Sequence, residues 1–366
     1  MKRSGLFALT ALAVALPGQA VAESSVTITG FFKVSYEYVK LGDYSGTGHN
    51  SEDRVVDDLS RIYFRVVEDL GGGLQAIGQV EWRLNIPAGQ DGANGADWVG
   101  LKSKRFGTLT FGRNDLHYNQ TPSTIISKGT LRAWNTSIVA NAGGGGTTIA
   151  FGTRTPNTVY YETPKWGDFD LIAAYSTNPN PGAPGEADIG STTRRGYAVN
   201  VAPRYMTKDW GIVYSYWNAK RDASPVHQRA DRVWGYVMVF GVRVGALYDK
   251  SKILDDSTGA TTSNRYAWSI PLSYQSGRHN FWLEYSEAQN DKATAVADGA
   301  KMWAAGYAYD FSKLTSLGLT YAKLTNEPGG FYNMWNSSAT QGGNPTGAVL
   351  PGEDPRMIGV TIRHAF

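Results

Sequence analysis

Apolar and polar residues alternate along much of the chain with a period of two, which is the pattern of a β-strand with one apolar face. Within residues 26–38 the alternation places Val26, Ile28, Phe32, Val34, Tyr36 and Tyr38 on one face, and Thr27, Thr29, Lys33, Ser35 and Glu37 on the other. The same pattern recurs in residues 61–66, 79–84, 266–274 and 358–363. The sequence therefore predicts an all-β fold.

Short and long connections between the predicted strands follow each other in strict alternation along the chain. The seven short connections are Glu68 to Gly73, Ser103 to Gly107, Thr163 to Asp168, Met206 to Asp209, Phe240-Gly241, Ser276-Gly277 and Asp310 to Lys313. The eight long, polar connections cover roughly residues 41–58, 86–97, 114–153, 176–194, 219–230, 251–263, 288–300 and 325–354. Fifteen connections imply sixteen strands.

Short turns on one rim, long loops on the opposite rim and an even number of strands are typical of a bacterial outer-membrane barrel. A soluble β-sandwich would share only the alternation of apolar and polar residues. Aromatic residues near strand ends, such as Tyr36, Tyr38, Tyr214, Tyr216 and the pairs 160–161 and 307/309, suit the two membrane interfaces. No apolar run near 18 residues follows residue 22, which excludes a helical membrane protein. We predict a 16-stranded antiparallel transmembrane β-barrel over residues 23–366.

The first 22 residues have the order of a secretory signal peptide. Lys2 and Arg3 precede the apolar stretch Leu6 to Leu16, and Ala20-Val21-Ala22 supplies the small residues of a cleavage site. An apolar stretch of 11 residues is too short to span a membrane as a helix. We expect cleavage before Glu23 and an exported, multi-pass protein of the cell outer membrane.

Charge and composition exclude several classes of function. Without Lys2 and Arg3, 33 of the 35 basic residues remain against 32 acidic residues. This nearly neutral balance lacks the excess of basic residues that is typical of nucleic-acid-binding proteins. The chain has no cysteine, which excludes disulfides and thiolate chemistry. None of the five histidines lies in a catalytic or metal-binding motif. We expect neither an enzyme nor a cofactor or metal site.

Several segments across residues 23–366 resemble the general porins, most closely those of the betaproteobacterial type. These segments are Ser25 to Gly30, Glu68 to Ala76, Trp98 to Leu101, Phe106 to Arg113, Tyr307 to Thr315 and the terminal Arg363-His364-Ala365-Phe366. The resemblance implies a homotrimer that forms a water-filled diffusion channel for small hydrophilic solutes. It also implies that the barrel assembly machinery recognises Phe366, and that the third long loop folds into the lumen opposite a ladder of basic residues.

The third long loop, residues 114–153, lacks the acidic Pro-Glu-Phe-Gly-Gly-like motif that the family often has there. No Asp or Glu occurs from Leu116 to Tyr161, a stretch of 46 residues, whereas Lys128 and Arg132 lie within it. Two interpretations remain. The two basic residues either line the constriction or lie in solvent and contact lipopolysaccharide.

The polar faces of the early strands supply the candidates for the lumen wall. Alternation predicts inward positions for Lys33, Arg61, Arg65, Arg83 and Arg154, against Glu37, Glu81 and Glu162. By resemblance, Arg61 and Arg154 align with two ladder positions, whereas a third falls on Gly95. We therefore expect moderate selectivity for small inorganic or organic anions. The alternative for any single arginine, Arg83 in particular, is an ion pair with Glu81 or Glu162.

Two other functions stay open at this point. In a substrate-specific outer-membrane channel, Trp134, Trp217 and Trp282 would line a path for sugars, although scattered tryptophans more often belong to the aromatic girdle. In a structural or adhesive barrel the lumen would be plugged, and residues 114–153 are the one segment long enough. That length suits a constriction better than a plug.

Overall fold

A computed structural model describes residues 24–42, 50–116, 154–179, 196–220, 225–333 and 349–366. Its first nine strand segments are β1 (Ser24–Lys40), β2 (Ser51–Asp57), β3 (Arg61–Gly71), β4 (Leu74–Asn85), β5 (Gln90–Asn94), β6 (Trp98–Ser103), β7 (Gly107–Asp115), β8 (Arg154–Glu162) and β9 (Phe169–Ser176). The other nine are β10 (Tyr197–Met206), β11 (Trp210–Lys220), β12 (Val226–Val239), β13 (Val242–Asp255), β14 (Thr261–Ser276), β15 (His279–Ala288), β16 (Ala300–Asp310), β17 (Thr315–Asn326) and β18 (Arg356–Ala365).

All segments join one antiparallel sheet that closes on itself, because β1 pairs with β18 as well as with β2 and β3. The segments β2 and β3 both continue along β1, and β5 and β6 both continue along β4, so each pair is one interrupted barrel strand. The described residues thus form the predicted closed barrel of sixteen strands. Closure removes the unpaired strand edges, which lipid could not satisfy with hydrogen bonds.

The connections fall on two opposite rims, as predicted. Phe240-Gly241 is one of the two-residue turns, and φ is 48° and 82° at its two residues. Positive φ at both central residues is the conformation of a type I′ hairpin turn, whose twist matches the flanking strands. On the other rim the strands reach further than predicted, because β2 lies within 41–58, β5 lies within 86–97, and only residues 256–260 separate β13 from β14.

The two faces of the sheet invert the usual distribution of polarity. On β18 the outward side chains Ile358, Val360 and Ile362 are 45 to 55% exposed, whereas inward Thr361 is fully buried. The hydroxyl groups of Ser35 and Thr361 form a 2.8 Å hydrogen bond on the inner wall. An apolar exterior around a polar interior is the arrangement of a barrel in lipid.

Most of the aromatic residues predicted to face lipid do so, but Tyr160 does not. Neighbouring residues of a strand point to opposite faces, so Tyr160 and Tyr161 cannot share one. The Tyr160 hydroxyl donates to Glu162 Oε2 at 3.1 Å, and its ring packs against the inward residues of β9 to β12. Tyr161 faces the other way and donates its hydroxyl to the Phe106 carbonyl at 2.8 Å.

The chain end closes the barrel against Gly30 of β1. The Phe366 N–H donates to the Gly30 carbonyl at 3.1 Å, and the Gly30 N–H donates to the Phe366 carbonyl at 3.0 Å. The rings of Phe366 and Phe32 lie 5.1 Å apart between centroids. A Cβ atom at position 30 would overlap with the Arg61 carbonyl oxygen, so glycine is required for this close approach.

Residues 1–22, which include the predicted signal peptide, and the loop residues Lys128, Arg132 and Trp134 lie outside the described residues. Within the described ranges, no helix has the length and apolar character needed to cross a membrane.

Candidate functional site: an arginine cluster on the inner wall

Three arginines and one glutamate from neighbouring strands meet on the inner wall of the barrel. Alternation turns Arg61 of β3 and both Glu81 and Arg83 of β4 inward, and Arg154 begins β8. Arg61 and Arg83 are directly opposite each other across the β3–β4 ladder. Two like charges in such a pair destabilise a sheet unless an opposite charge lies close to both.

Glu81 supplies that opposite charge. Its Oε1 accepts a 2.6 Å hydrogen bond from Arg61 Nη1 and lies 3.5 Å from Arg83 Nε. Its Oε2 accepts a 2.8 Å hydrogen bond from the Ala96 N–H and lies 3.8 Å from Arg154 Nε. One carboxylate therefore faces three guanidinium groups, and the cluster keeps an excess of positive charge. We call these four residues the arginine cluster.

Burial makes this excess charge strong. Arg61 and Arg83 are each only 6% exposed. Within the described part of the chain, Arg61 Nη2 and Arg83 Nη2 have no hydrogen-bond acceptor. A buried charged donor without a partner is costly, and the cost falls when an anion approaches. The excess positive charge of the wall at this level therefore attracts anions electrostatically, whereas burial limits their direct contact with Arg61 and Arg83.

Gly95 explains how the cluster differs from the expected ladder. The Gly95 N–H donates to the Glu81 carbonyl at 2.9 Å, and a Cβ atom at Gly95 would overlap with Glu81 Cγ and Cδ. An arginine at position 95 is thus incompatible with the present position of the Glu81 side chain. The third guanidinium comes from Arg83 of β4 instead.

The remaining predicted wall residues lie outside the arginine cluster. Lys33 Nζ pairs with Asp58 Oδ2 at 2.5 Å, and Arg65 Nε donates to Gln79 Oε1 at 2.9 Å. Arg204 Nη2 donates to Glu162 Oε1 at 2.7 Å. Two partners were considered for Arg83. Glu81 lies beside it, whereas Glu162 pairs with Arg204.

Two charged residues beside the arginine cluster were not predicted from the sequence. Arg113 Nε donates to the Arg154 carbonyl at 3.0 Å, and Asp115 Oδ1 lies 4.0 Å from Arg154 Nε. The β7–β8 register shifts between Gly112 and Asn114. Because this bulge breaks the alternation, counting positions from Phe111 does not give the side on which Arg113 lies. A glycine within a strand often marks a bulge, so Gly112 was the feature of the sequence that could have indicated this one.

A cluster of small and apolar side chains lies among the inward residues of β9 to β12. Leu116, the first residue after β7, is fully buried with Ala174, Ala198, Trp217 and other inward residues of β9 to β12. Trp217 and Trp282 both face inward, but only 0% and 5% of their surfaces are exposed. Their rings are therefore covered by other groups and do not form an open aromatic path for sugars.

Ion pairs tie down the long-loop rim between β14 and the connection 289–299. Arg265 Nη2 donates to Asp298 Oδ2 at 2.6 Å, and Arg265 Nε lies 3.2 Å from Asp291 Oδ2. Burial would raise the pKa of Asp291, but the N–H groups of Ala293 and Asn264 together with Arg265 hold that pKa below its ordinary value. Asp291 therefore stays charged and paired with Arg265 in this part of the rim.

Among the described residues, no three His, Cys, Asp or Glu side chains form a group that could hold a metal ion.

Comparisons with known proteins relate the chain to channels of the outer membrane. The sequence model of the Gram-negative porin family matches residues 8–329. An outer membrane porin of Delftia acidovorans is 27% identical over the full length of both chains. An outer membrane porin of Bordetella pertussis is 27% identical over 89% of this chain and 70% of its own.

Two solved structures share the fold. The anion-selective porin from Comamonas acidovorans matches with a TM-score of 0.74 and 20% identity, covering 94% of this chain and 100% of its own. The trimer form of OmpT, an outer membrane protein of Vibrio cholerae, matches with a TM-score of 0.67 and 13% identity, covering 94% of this chain and 99% of its own.

Proposed function

Since the chain belongs to the Gram-negative porin family, it is a multi-pass outer-membrane diffusion channel rather than an enzyme, and we propose that it prefers small anions moderately. The observation that carries the preference is the arginine cluster, in which one Glu81 carboxylate faces Arg61, Arg83 and Arg154. Fixed charge on a pore wall raises the local concentration of the opposite ion. Inorganic anions and small organic anions are the solutes that this wall favours.

The strength of the preference follows from the charge balance. Glu81 cancels one of three positive charges, and Asp115 lies within 4.0 Å of Arg154 Nε. At 0.1 M salt the field of a charge decays over about 10 Å, so much of a wide lumen feels a weakened field. The remaining excess is positive. Anion preference that is moderate and falls with ionic strength is the expected result.

We further propose that the third long loop, residues 114–153, folds into the lumen, where Lys128 and Arg132 face the arginine cluster. Support comes from Leu116, which leaves β7 and packs against inward side chains of β9 to β12. The small and apolar side chains of that cluster suit a packed segment. The absence of carboxylates from Leu116 to Tyr161 would leave the narrowed passage positive.

A substrate-specific channel is the second candidate. The buried positions of Trp217 and Trp282 weigh against a path for sugars, whereas the excess positive charge of the arginine cluster favours an organic anion. Current block by that anion at micromolar concentration, without similar block by chloride, would favour this candidate.

We propose a homotrimer embedded in outer-membrane lipid and lipopolysaccharide, formed after removal of residues 1–22. Support for the trimer comes from the family and from the solved Vibrio cholerae OmpT, which has a trimer form. Residues 23–366 then form one barrel domain.

Phe366 is proposed as the residue that the barrel assembly machinery recognises, and its deletion should reduce the amount of folded barrel in the outer membrane several-fold. The deletion also removes the Phe366–Phe32 ring contact and two closing hydrogen bonds to Gly30. Outer-membrane fractions run unboiled on a detergent gel would measure the folded, fast-migrating form. Phe366→Tyr, which keeps an aromatic end, is the control. Equal levels of the deletion variant and the wild type would contradict the proposal.

The direct test of anion preference is the reversal potential of the wild-type channel in a planar bilayer that separates two potassium chloride concentrations. We expect the sign set by chloride.

A further inference from the structure

A further arginine of the inner wall, Arg65, lies between the arginine cluster and the rim of the short turns. It follows Arg61 by four residues on β3, which is about 13 Å along a strand, and β3 ends at Gly71 beside a short turn. In a barrel of this family that rim is periplasmic. Arg61 is only 6% exposed, whereas Arg65 is exposed to the lumen. A solute at this level can therefore contact Arg65 directly.

Three neutral side chains hold the guanidinium group of Arg65 in place. Its Cζ atom lies 4.5 Å from the centroid of the Tyr63 ring. Arg65 Nε donates to Gln79 Oε1 at 2.9 Å, and Arg65 Nη1 donates to Thr29 Oγ1 at 3.4 Å. Gln79 is itself oriented, because its Nε2 donates to the Ala96 carbonyl at 2.9 Å. The guanidinium plane is therefore fixed before a ligand arrives.

The protein around Arg65 does not neutralise its charge. In the described part of the chain, no carboxylate forms an ion pair with Arg65. Asp69, the next acidic residue on the inward face of β3, accepts a 2.9 Å hydrogen bond from the Gly71 N–H. Tyr63 covers one face of the guanidinium group. Because the Arg65 side chain is exposed, the opposite face is left to a ligand in the lumen.

Aromatic rings and guanidinium groups continue from Arg65 to the arginine cluster. Arg61 Nη1 donates to the Tyr63 hydroxyl at 3.4 Å, and Arg61 Cζ lies 5.3 Å from the centroid of the Phe31 ring. Arg363 Cζ of β18 lies 5.0 Å from the same centroid. The two kinds of group thus alternate along this wall in the order Arg363, Phe31, Arg61, Tyr63 and Arg65. We call these five residues the arginine–aromatic row.

The arginine–aromatic row offers two kinds of contact to one ligand. The flat face of a guanidinium group stacks on an aromatic ring, and its positive charge attracts a carboxylate. A ring that carries a carboxylate can stack on the free face of Arg65 while its charge lies toward the arginine cluster. Chloride and aliphatic carboxylates can use only the attraction between charges.

Arg204, which also faces the lumen near the short turns, has a different charge balance. Its Nη2 donates to Glu162 Oε1 at 2.7 Å, and its Nε donates to Asp170 Oδ1 at 2.5 Å. Two carboxylates exceed the single positive charge of Arg204, so an anion is not attracted there. An aromatic anion is thus drawn to β3 rather than to β10.

We propose that Arg65, stacked on Tyr63, is a binding subsite for aromatic carboxylates in the periplasmic part of the lumen. The ring of the ligand stacks on the free face of Arg65, and its carboxylate lies toward the excess positive charge of the arginine cluster. The subsite rests on the proposed function as a diffusion channel and adds a class of organic solute to it.

The test measures how far benzoate and cyclohexanecarboxylate reduce the chloride conductance of the purified full-length barrel in planar bilayers. These two anions have the same charge and nearly the same size, but only benzoate has an aromatic ring. Each anion is added on the side of the short turns at constant ionic strength. Chloride conductance before the addition shows that the barrel under test is folded and open.

Two variants separate the stacking contact from the charge. Arg65→Lys keeps the positive charge but lacks the flat guanidinium group, and Arg65→Gln removes the charge as well. The matched control for Arg65→Gln is Lys102→Gln. Lys102 of β6 is also an exposed inward residue near the short turns, and its substitution removes the same charge from the lumen.

We expect benzoate to halve the wild-type conductance at about a threefold lower concentration than cyclohexanecarboxylate, which is the effect of one exposed stacking contact. In Arg65→Lys the two anions should act at nearly equal concentrations. Arg65→Gln should raise the half-effective concentration of benzoate about tenfold, because the stacking contact and the nearby charge are both lost. Lys102→Gln should raise it less than about twofold, since that charge is screened by water.

Equal action of the two carboxylates on the wild type would overturn the subsite, as would a preference for benzoate that persists in Arg65→Lys. Equal losses in Arg65→Gln and Lys102→Gln would show a general effect of lumen charge and would also overturn it. The reversal potential in potassium chloride separates this proposal from the proposed anion preference. A potential set by chloride with equal action of the two carboxylates refutes only the subsite. A potential set by potassium with a preference for benzoate that depends on Arg65 refutes only the anion preference.

Discussion

Arg61→Glu should convert the channel from a preference for chloride to a preference for potassium. The substitution removes the guanidinium that donates to Glu81 at 2.6 Å and places a second carboxylate beside Glu81, which changes the wall charge by two. For an ion about 8 Å away in water, each unit charge contributes about 0.5 kcal/mol, with opposite sign for the two ions. After screening, we expect a shift of roughly tenfold in the chloride-to-potassium permeability ratio. Reversal potentials in a potassium chloride gradient measure this ratio.

Arg65→Glu is the matched control because it makes the same charge change four residues along β3. The Arg65 side chain is exposed, lies outside the arginine cluster and bonds to Gln79. Its charge is better screened by water, so its effect should be less than a third of that of Arg61→Glu. An equal shift in both variants, or none in Arg61→Glu, would show that the arginine cluster does not control selectivity.

Glu81→Gln should raise the chloride-to-potassium permeability ratio roughly threefold, since it changes the wall charge by one where Arg61→Glu changes it by two. The same substitution should destabilise the barrel, because Arg61 and Arg83 are nearly fully buried and Glu81 is the carboxylate that contacts both. Removing one partner from a buried ion pair costs about 3 to 5 kcal/mol. We expect the folded form to disappear at a lower temperature when samples are heated before electrophoresis.

Glu162→Gln provides the comparison for Glu81→Gln, with an identical change in charge and shape. Glu162 pairs with Arg204 and makes no contact with the arginine cluster among the described residues. Its substitution should change the permeability ratio little. If both variants changed the ratio equally, overall charge rather than the position of Glu81 would determine selectivity.

The strand arrangement could be predicted from the sequence because lipid and water impose opposite demands on the two faces of every strand. The short turn Phe240-Gly241 was predicted to the residue, whereas the turn predicted at Ser276-Gly277 lies one residue later, at Gly277-Arg278. The interruptions at Asp58 to Ser60 and at 95–97 were not predicted. They depend on tertiary hydrogen bonds, such as the one from the Asp58 N–H to the Lys33 carbonyl at 2.9 Å.

The candidate site was predicted in its residues and, as one of two alternatives, in the pairing of Arg83 with Glu81, but not in its other contacts. Alternation indicated that Arg61, Glu81 and Arg83 face inward, because period two is a local property. The partner of each charge depends on register between strands distant in sequence, as in Glu81 with Arg154 and Glu162 with Arg204. Arg113 was missed because a bulge shifts the register of its own strand.

The most direct test of the central claim is the reversal potential of the unmodified channel between two potassium chloride solutions, repeated at increasing mean salt concentration. A wall on which Arg61, Arg83 and Arg154 outnumber Glu81 predicts a potential with the sign set by chloride. The potential should shrink as salt shortens the reach of the wall charge from about 10 Å at 0.1 M to about 3 Å at 1 M. A potential with the sign set by potassium at low salt would contradict the account.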